Sequence, residues 1–223
     1  MGISNFIVFN YMNAPYGSEA YTVAIIPFIA ALAAGTAVLF LVRKKTLAQP
    51  WTEKGKLPLF LVFFLPLAGM AMYYIITGGE LSTAFLLPSA CALLVGIAEE
   101  TMFRRILYID LLKSGSGQGF TKPLLISATF FSLLHAVNVF AGATGTRVLM
   151  QLATTLAAGL FFALMYDYTH SIFLMIATHC LWDYLLMSGA VEKIPAFSVA
   201  MTVLTLAQPF LSLVLFIRKR RLR

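Results

Sequence analysis

Residues Phe85–Tyr108 read FLLPSACALLVGIAEETMFRRILY. The run exceeds the roughly 20 residues that carry a helix across the hydrocarbon core of a bilayer, yet it contains Glu99, Glu100, Arg104 and Arg105. A charge at mid-bilayer costs at least about 2.5–3.5 kcal/mol on the insertion scale, so each of these side chains needs a reason. Composition identifies the solvent. Of 223 residues, 60% are hydrophobic and 11% charged, against roughly 25% charged in an ordinary soluble domain. A single core of this length cannot hide so much apolar surface from water. The chain reads as an all-α, polytopic helical membrane protein. That excludes a disordered chain, a secreted disulfide scaffold and a nucleic-acid-binding domain, despite a formal net charge of +7.

Six further apolar stretches complete a set of seven spans: Tyr21–Val42, Leu57–Thr77, Phe85–Tyr108, Pro123–Gly142, Val148–Met165, Ile172–Met187 and Ile194–Ile217. Lipid offers no partner for unpaired backbone groups, which leaves helices, and the two-residue alternation of barrel strands is absent. Arg43, Lys44, Lys45, Lys54 and Lys56 follow the first span. Arg104, Arg105, Lys113 and Lys122 surround the end of the third, and Arg218, Lys219, Arg220, Arg221 and Arg223 form the tail. All of these fall on one side of the membrane, leaving Arg147 and Lys193 on the other. The positive-inside rule then puts the N-terminus outside and the C-terminus in the cytoplasm. The basic tail reads as a topology anchor against anionic lipid. No repeat or interdomain linker interrupts 1–223, so one membrane domain is expected, with a flexible loop at Ser114-Gly115-Ser116-Gly117-Gln118-Gly119. Cys91 and Cys180 fall inside spans and read as small apolar packing.

Ionisable groups inside the spans are confined to three helices. Besides Glu99, Glu100, Arg104 and Arg105 there are His135, with Asn138 a turn further on, and the pair His179 and Asp183. With Pro88 taken as a first-turn residue, Glu99 lies roughly 16 Å deep at 1.5 Å per residue. By the same rise His135 is roughly 18 Å from Pro123 and His179 roughly 12 Å from Ser171. In a core about 30 Å thick all three can meet, so a shared polar site is expected. Glu99 and Glu100 point about 100° apart. Glu100 and Arg104 stand at i, i+4 with the acid first, which suits an ion pair and leaves Glu99 free for chemistry. Phe131 shares a face with His135, as His179 does with Asp183; an aromatic there can wall off lipid, and a carboxylate can orient or charge the imidazole.

One free carboxylate and two histidines in a partly dry pocket suit water activation. The acid takes a proton from water, one imidazole helps hold the water, and the other donates to an oxyanion. Glu99, His135 and His179 are equally an adequate zinc set. A proton relay would use the same residue types, but the repeat symmetry and paired broken helices of transporters are missing. A hydrolase built on Cys180 and His179 is disfavoured, because adjacent helical residues diverge by about 100°. Asn138 either lines the site or only bonds a neighbouring helix.

Glu99-Glu100-Thr101-Met102-Phe103-Arg104 resembles the EExxxR motif of the CAAX-protease and bacteriocin-processing (CPBP, or Abi) family. Phe131-Ser132-Leu133-Leu134-His135 is similar to its FxxxH motif, and His179-Cys180-Leu181-Trp182-Asp183 to its HxxxN-type motif. The likeness covers roughly residues 86–187, the expected catalytic core. It implies a glutamate-dependent intramembrane endopeptidase, related to the Ras-converting CAAX prenyl protease, in a bacterial cytoplasmic membrane. By that likeness Glu99 and His135 activate water, His179 and Asp183 support the tetrahedral intermediate, and Glu100 and Arg104 buttress them. The implied partners are membrane lipids and a peptide or membrane-protein substrate, prenylated or not; neither a cofactor nor nucleic acid is implied. Asp183 departs from the pattern, since the type members carry Asn there. An amide can donate to an oxyanion whereas an ionised Asp only accepts, so Asp183 is expected to orient and charge His179. A zinc-dependent protease and a non-catalytic bacteriocin-immunity or scaffold protein are the alternatives.

Overall fold

The computed structural model describes residues 1–78, 83–115 and 119–221. Arg223 and the centre of the expected flexible loop, Ser116-Gly117-Gln118, lie outside the described residues. The α-helices are α1 (Gly2–Met12), α2 (Glu19–Arg43), α3 (Pro58–Gly78), α4 (Thr83–Glu100), α5 (Ile109–Ser114), α6 (Thr121–Leu134), α7 (Gly145–Thr169), α8 (Ile172–Met187), α9 (Ala190–Lys193) and α10 (Pro195–Arg221). A π-helical segment, Thr101–Tyr108, fuses α4 to α5, and a 3-10 segment, His135–Ala141, extends α6. No strand occurs among the described residues.

Six of these helices are long and apolar enough to cross a membrane: α2, α3, the fused Phe85–Ser114, Thr121–Ala141, α7 and α10. The remaining expected span has the expected bounds, Ile172–Met187, but only 16 residues, about 24 Å at 1.5 Å per residue. Helix starts follow local chemistry. The Ser18, Thr144 and Ser171 hydroxyls accept from the backbone N–H groups of Tyr21, Arg147 and Leu174, satisfying donors a helix start leaves over. Pro88 does not open its helix: α4 begins at Thr83, so the proline sits within it. The short helix α1 was not expected; it packs on the 3-10 segment that begins at His135.

The ends expected on the basic side are gathered together. Arg43 pairs with Asp110 at 2.8 Å, Lys113 donates to the Thr46 carbonyl, the Trp51 indole donates to Asp167 at 2.8 Å, and Lys219 pairs with that same Asp167. Beneath these contacts the interior is filled by fully buried Phe60, Phe63, Tyr108, Ile109, Phe161 and Tyr166.

Two glycines set how close the motif helices come. α4 lies between α2 and α8, and α6 lies on α7. A Cβ on Gly96 would sit 3.2 Å from the Ile176 carbonyl oxygen and 3.7 Å from the His179 Cβ. A Cβ on Gly159 would lie 3.0 Å from the Ala128 Cα. Small residues of this kind let membrane helices approach backbone to backbone: here Gly96 brings the Glu99 helix onto the His179 helix, and Gly159 brings α7 onto α6.

Candidate active site

Glu99 closes the last turn of α4 and Glu100 ends it, immediately before the helix widens into the π segment. Such π segments often sit at functional sites because they re-aim side chains and free backbone groups. The Phe103 carbonyl in this segment accepts a 2.8 Å hydrogen bond from the Ser127 hydroxyl of α6. Glu100 is completely buried and faces Arg104, also completely buried, with Oε2 3.3 Å from Nε. The expected pair is therefore present. The Arg104 guanidinium lies 4.0 Å from the Phe131 ring centroid and 5.4 Å from that of Phe162, flat aromatic surroundings that suit a delocalised cation.

Glu100 also has a second partner. Its Oε1 lies 2.7 Å from Nδ1 of His179, so one carboxylate bridges the buried cation and the imidazole. That contact fixes the ring and aims Nε2 at two other carboxylates. Nε2 is 3.7 Å from Oε2 of Glu99 and 3.4 Å from Oδ2 of Asp183. The i, i+4 relation between His179 and Asp183 thus places them side by side as expected.

His135 starts the 3-10 segment. Its Nδ1 lies 3.0 Å from the Phe131 carbonyl, a contact that holds the ring and leaves Nε2 for other work. Phe131 packs edge-on against both imidazoles, with centroids 5.2 Å from His135 and 6.2 Å from His179. It is therefore a wall shared by both histidines as well as a support for Arg104.

Glu99, Phe131, His135, Asn138, His179 and Asp183 all line one cavity of about 1100 Å³. Glu100 and Arg104 are not among its lining residues and lie behind it. Asn138 turns out to do both of the things weighed for it. It lines the cavity and its amide donates to Oε1 of Gln151 at 2.9 Å. The Gln151 amide in turn donates to the Tyr16 hydroxyl at 2.9 Å. Asn5, completely buried on α1, donates to Oδ1 of Asn138 and to the Val137 carbonyl, both at 3.1 Å, and accepts from the Tyr21 hydroxyl at 2.8 Å. Burial pushes the Tyr16 phenol up from its ordinary pKa, so it serves this chain of hydrogen bonds as a neutral group. Asn5, Gln151 and Tyr16 were not among the expected site residues. Gln151, an amide in an apolar span, was the available signal; Asn5 and Tyr16 precede the first span and carried none.

Among the described residues, no three His, Cys, Asp or Glu side chains converge in an arrangement suited to a metal ion. The alternative zinc set Glu99, His135 and His179 meets at one cavity, with the Nδ1 atoms of both histidines held by protein partners and their Nε2 atoms left over. Both cysteines are free thiols.

The fold and the site define an integral membrane protein with a buried carboxylate–histidine centre facing a large cavity. Residues 81–185 match the model of the Rce1-like family, described as type II CAAX prenyl endopeptidase Rce1-like. That stretch, which holds all three motifs, is similar to the CAAX-protease family. No curated protein and no solved structure matches the chain.

Proposed function

We propose that this CAAX-type endopeptidase is a glutamate-dependent intramembrane protease, with Glu99 as general base, His135 as its partner in holding water, and His179 as the donor to the oxyanion. The observation that carries this is the double engagement of His179: Nδ1 at 2.7 Å from Glu100, and Nε2 beside Glu99 and Asp183 within the cavity. An imidazolium held in this way donates Nδ1–H to Glu100 and presents Nε2–H where substrate can reach it.

In the first step Glu99 takes a proton from water as the oxygen attacks the peptide carbonyl carbon, and the carbonyl oxygen becomes an oxyanion facing Nε2–H. In the second, the C–N bond breaks, Glu99 returns its proton to the leaving nitrogen, and the carbonyl re-forms as a carboxylic acid. Positioned acid–base catalysis contributes about 10²–10⁴-fold, and removal of an oxyanion donor costs about 10²–10³-fold. Asp183 accepts from or charges His179, while Glu100 and Arg104 fix the ring from behind. The substrate is a peptide or membrane-protein segment, prenylated or not.

The test is cleavage of a quenched-peptide panel, with prenylated and unprenylated members, by detergent-purified protein. Glu99→Gln is expected to lose about 10²–10⁴-fold in kcat with its thermal midpoint unchanged, and a strong zinc chelator is expected to leave wild type active. Loss with chelator and recovery with zinc would make the enzyme a metalloprotease. Wild-type behaviour of Glu99→Gln and His135→Ala, both with peptides and in cells, would defeat the catalytic reading and favour an immunity or scaffold role.

A further inference from the structure

The cavity is confined to one half of the bundle. Its described lining residues include the start of α2 (through Ile29), the end of α3 (from Tyr74), α4 down to Glu99, the end of α6 with the 3-10 segment (Phe131 to Asn138), α7 from Arg147 to Phe162, α8 from His179 onward, and α10 from Ser198 to Gln208. None falls within 30–73, 100–130, 163–178 or 209–221, which are the segments leading to the basic loops and tail. Between the cavity floor and those loops stand the Glu100–Arg104 pair and the fully buried Tyr108, Phe161 and Tyr166. The groove near the basic loops, about 100 Å³ and lined by residues such as Lys54, Asp167 and Lys219, shares no lining residue with the cavity.

Charge then orients the mouth. The rim carries Glu19, Arg147, Glu192 and Lys193, four ionisable groups that belong in water rather than in lipid. Among the described residues, Arg147 and Lys193 are the only Lys or Arg at this end of the bundle; the other thirteen described Lys and Arg lie toward the other end. The positive-inside rule places that other end in the cytoplasm. The geometry points to a substrate that reaches Glu99 from the non-cytoplasmic face: an exported peptide, or the outer flank of a membrane-spanning segment, rather than a tail delivered from the cytoplasm. This sidedness rests on the endopeptidase reading above for its chemistry, but not for its topology.

Two arms separate those dependencies. Glu19 and Ser198 are exposed rim positions and Lys45 is an exposed position in a basic loop. Glu19→Cys, Ser198→Cys and Lys45→Cys, in the full chain with the parent protein as background, are treated in intact cells with a membrane-impermeant maleimide. Both rim cysteines are expected to label in intact cells to the level they reach after permeabilisation. Lys45→Cys is expected to stay at background until the cells are opened. The reverse pattern would overturn the proposal whatever the enzyme does. In the second arm, two membrane-tethered reporters differ only in which face carries the cleavable segment. Wild type should cut the outward reporter and Glu99→Gln neither; cleavage of the inward reporter alone would overturn sidedness and leave the protease reading intact. If neither reporter nor any detergent peptide were cut, the protease reading would fall, and the labelling would still decide which way the cavity faces.

Discussion

Glu99 and Glu100 are neighbours in the chain and belong to different parts of the molecule. Glu100 belongs to a filled half, in which large aromatic side chains are fully buried and its own charge faces that of Arg104. Glu99 is the floor of a hollow half, a cavity of about 1100 Å³ whose lining includes both motif histidines. A turn of about 100° per residue along one helix is enough to send two identical side chains to these two environments. The Glu99 carboxylate keeps its place in the hollow half because the filled half immobilises the groups behind it.

Breaking the filled half should therefore cost stability, and breaking the hollow half should cost rate. Arg104→Ala removes the cation beside the completely buried Glu100 carboxylate and leaves His179 to hold it, and loss of one partner of a buried pair costs about 3–5 kcal/mol. The expected result is a strongly lowered thermal midpoint in detergent and poor accumulation in membranes, in contrast to the stable but inactive Glu99→Gln. A stable and inactive Arg104→Ala would erase the distinction between the two halves.

Gly96→Ala probes the seam between them. The new Cβ would meet the Ile176 carbonyl oxygen at 3.2 Å, so α4 and α8 must part by a few tenths of an ångström. The added methyl points at the turn of α8 that presents His179. Misplacement of a catalytic group by about 1 Å can cost 10²-fold, so kcat is expected to fall by up to about that factor while binding of a substrate-like peptide changes little. An unchanged kcat would show that the spacing of these helices is not what sets the His179–Glu99 geometry.

Much of this division was legible in the chain. The apolar runs marked the helices because lipid selects uniformly hydrophobic stretches, and the i, i+4 relation alone separated Glu99 from Glu100. What local spacing cannot encode is contact between helices distant in sequence. The bond from Glu100 to His179 spans 79 residues, and it depends on how closely α4 approaches α8, which Gly96 sets. The Asn5–Asn138 bond spans 133 residues and arises on a helix too short to register as a span. Pro88 misled for a related reason. Proline suits a first turn, but inside a membrane bundle neighbouring helices can re-satisfy the backbone group it frees, and α4 runs through it. The π segment after Glu100 carries no proline or glycine between Thr101 and Tyr108, so its composition gave no sign of it.

The smallest effect is expected where this chain departs from the HxxxN-type motif that it resembles. Asp183 places Oδ2 3.4 Å from Nε2 of His179, on the cavity side of the ring, opposite the Glu100 contact at Nδ1. Asp183→Asn keeps the shape and removes the charge. A hydrogen bond to a charged group exceeds a neutral one by about 1 kcal/mol, which corresponds to a roughly fivefold fall in kcat at constant KM if Asp183 acts by orienting and charging the imidazole. An amide that instead donated to the oxyanion would hold kcat level or raise it, and Asp183 would then be the weaker of two interchangeable solutions. Asp183→Ala separates these outcomes from simple packing: a positioning role predicts a larger kcat loss than for Asn with an unchanged thermal midpoint, whereas a packing role would lower the midpoint and leave the kcat of the folded fraction alone.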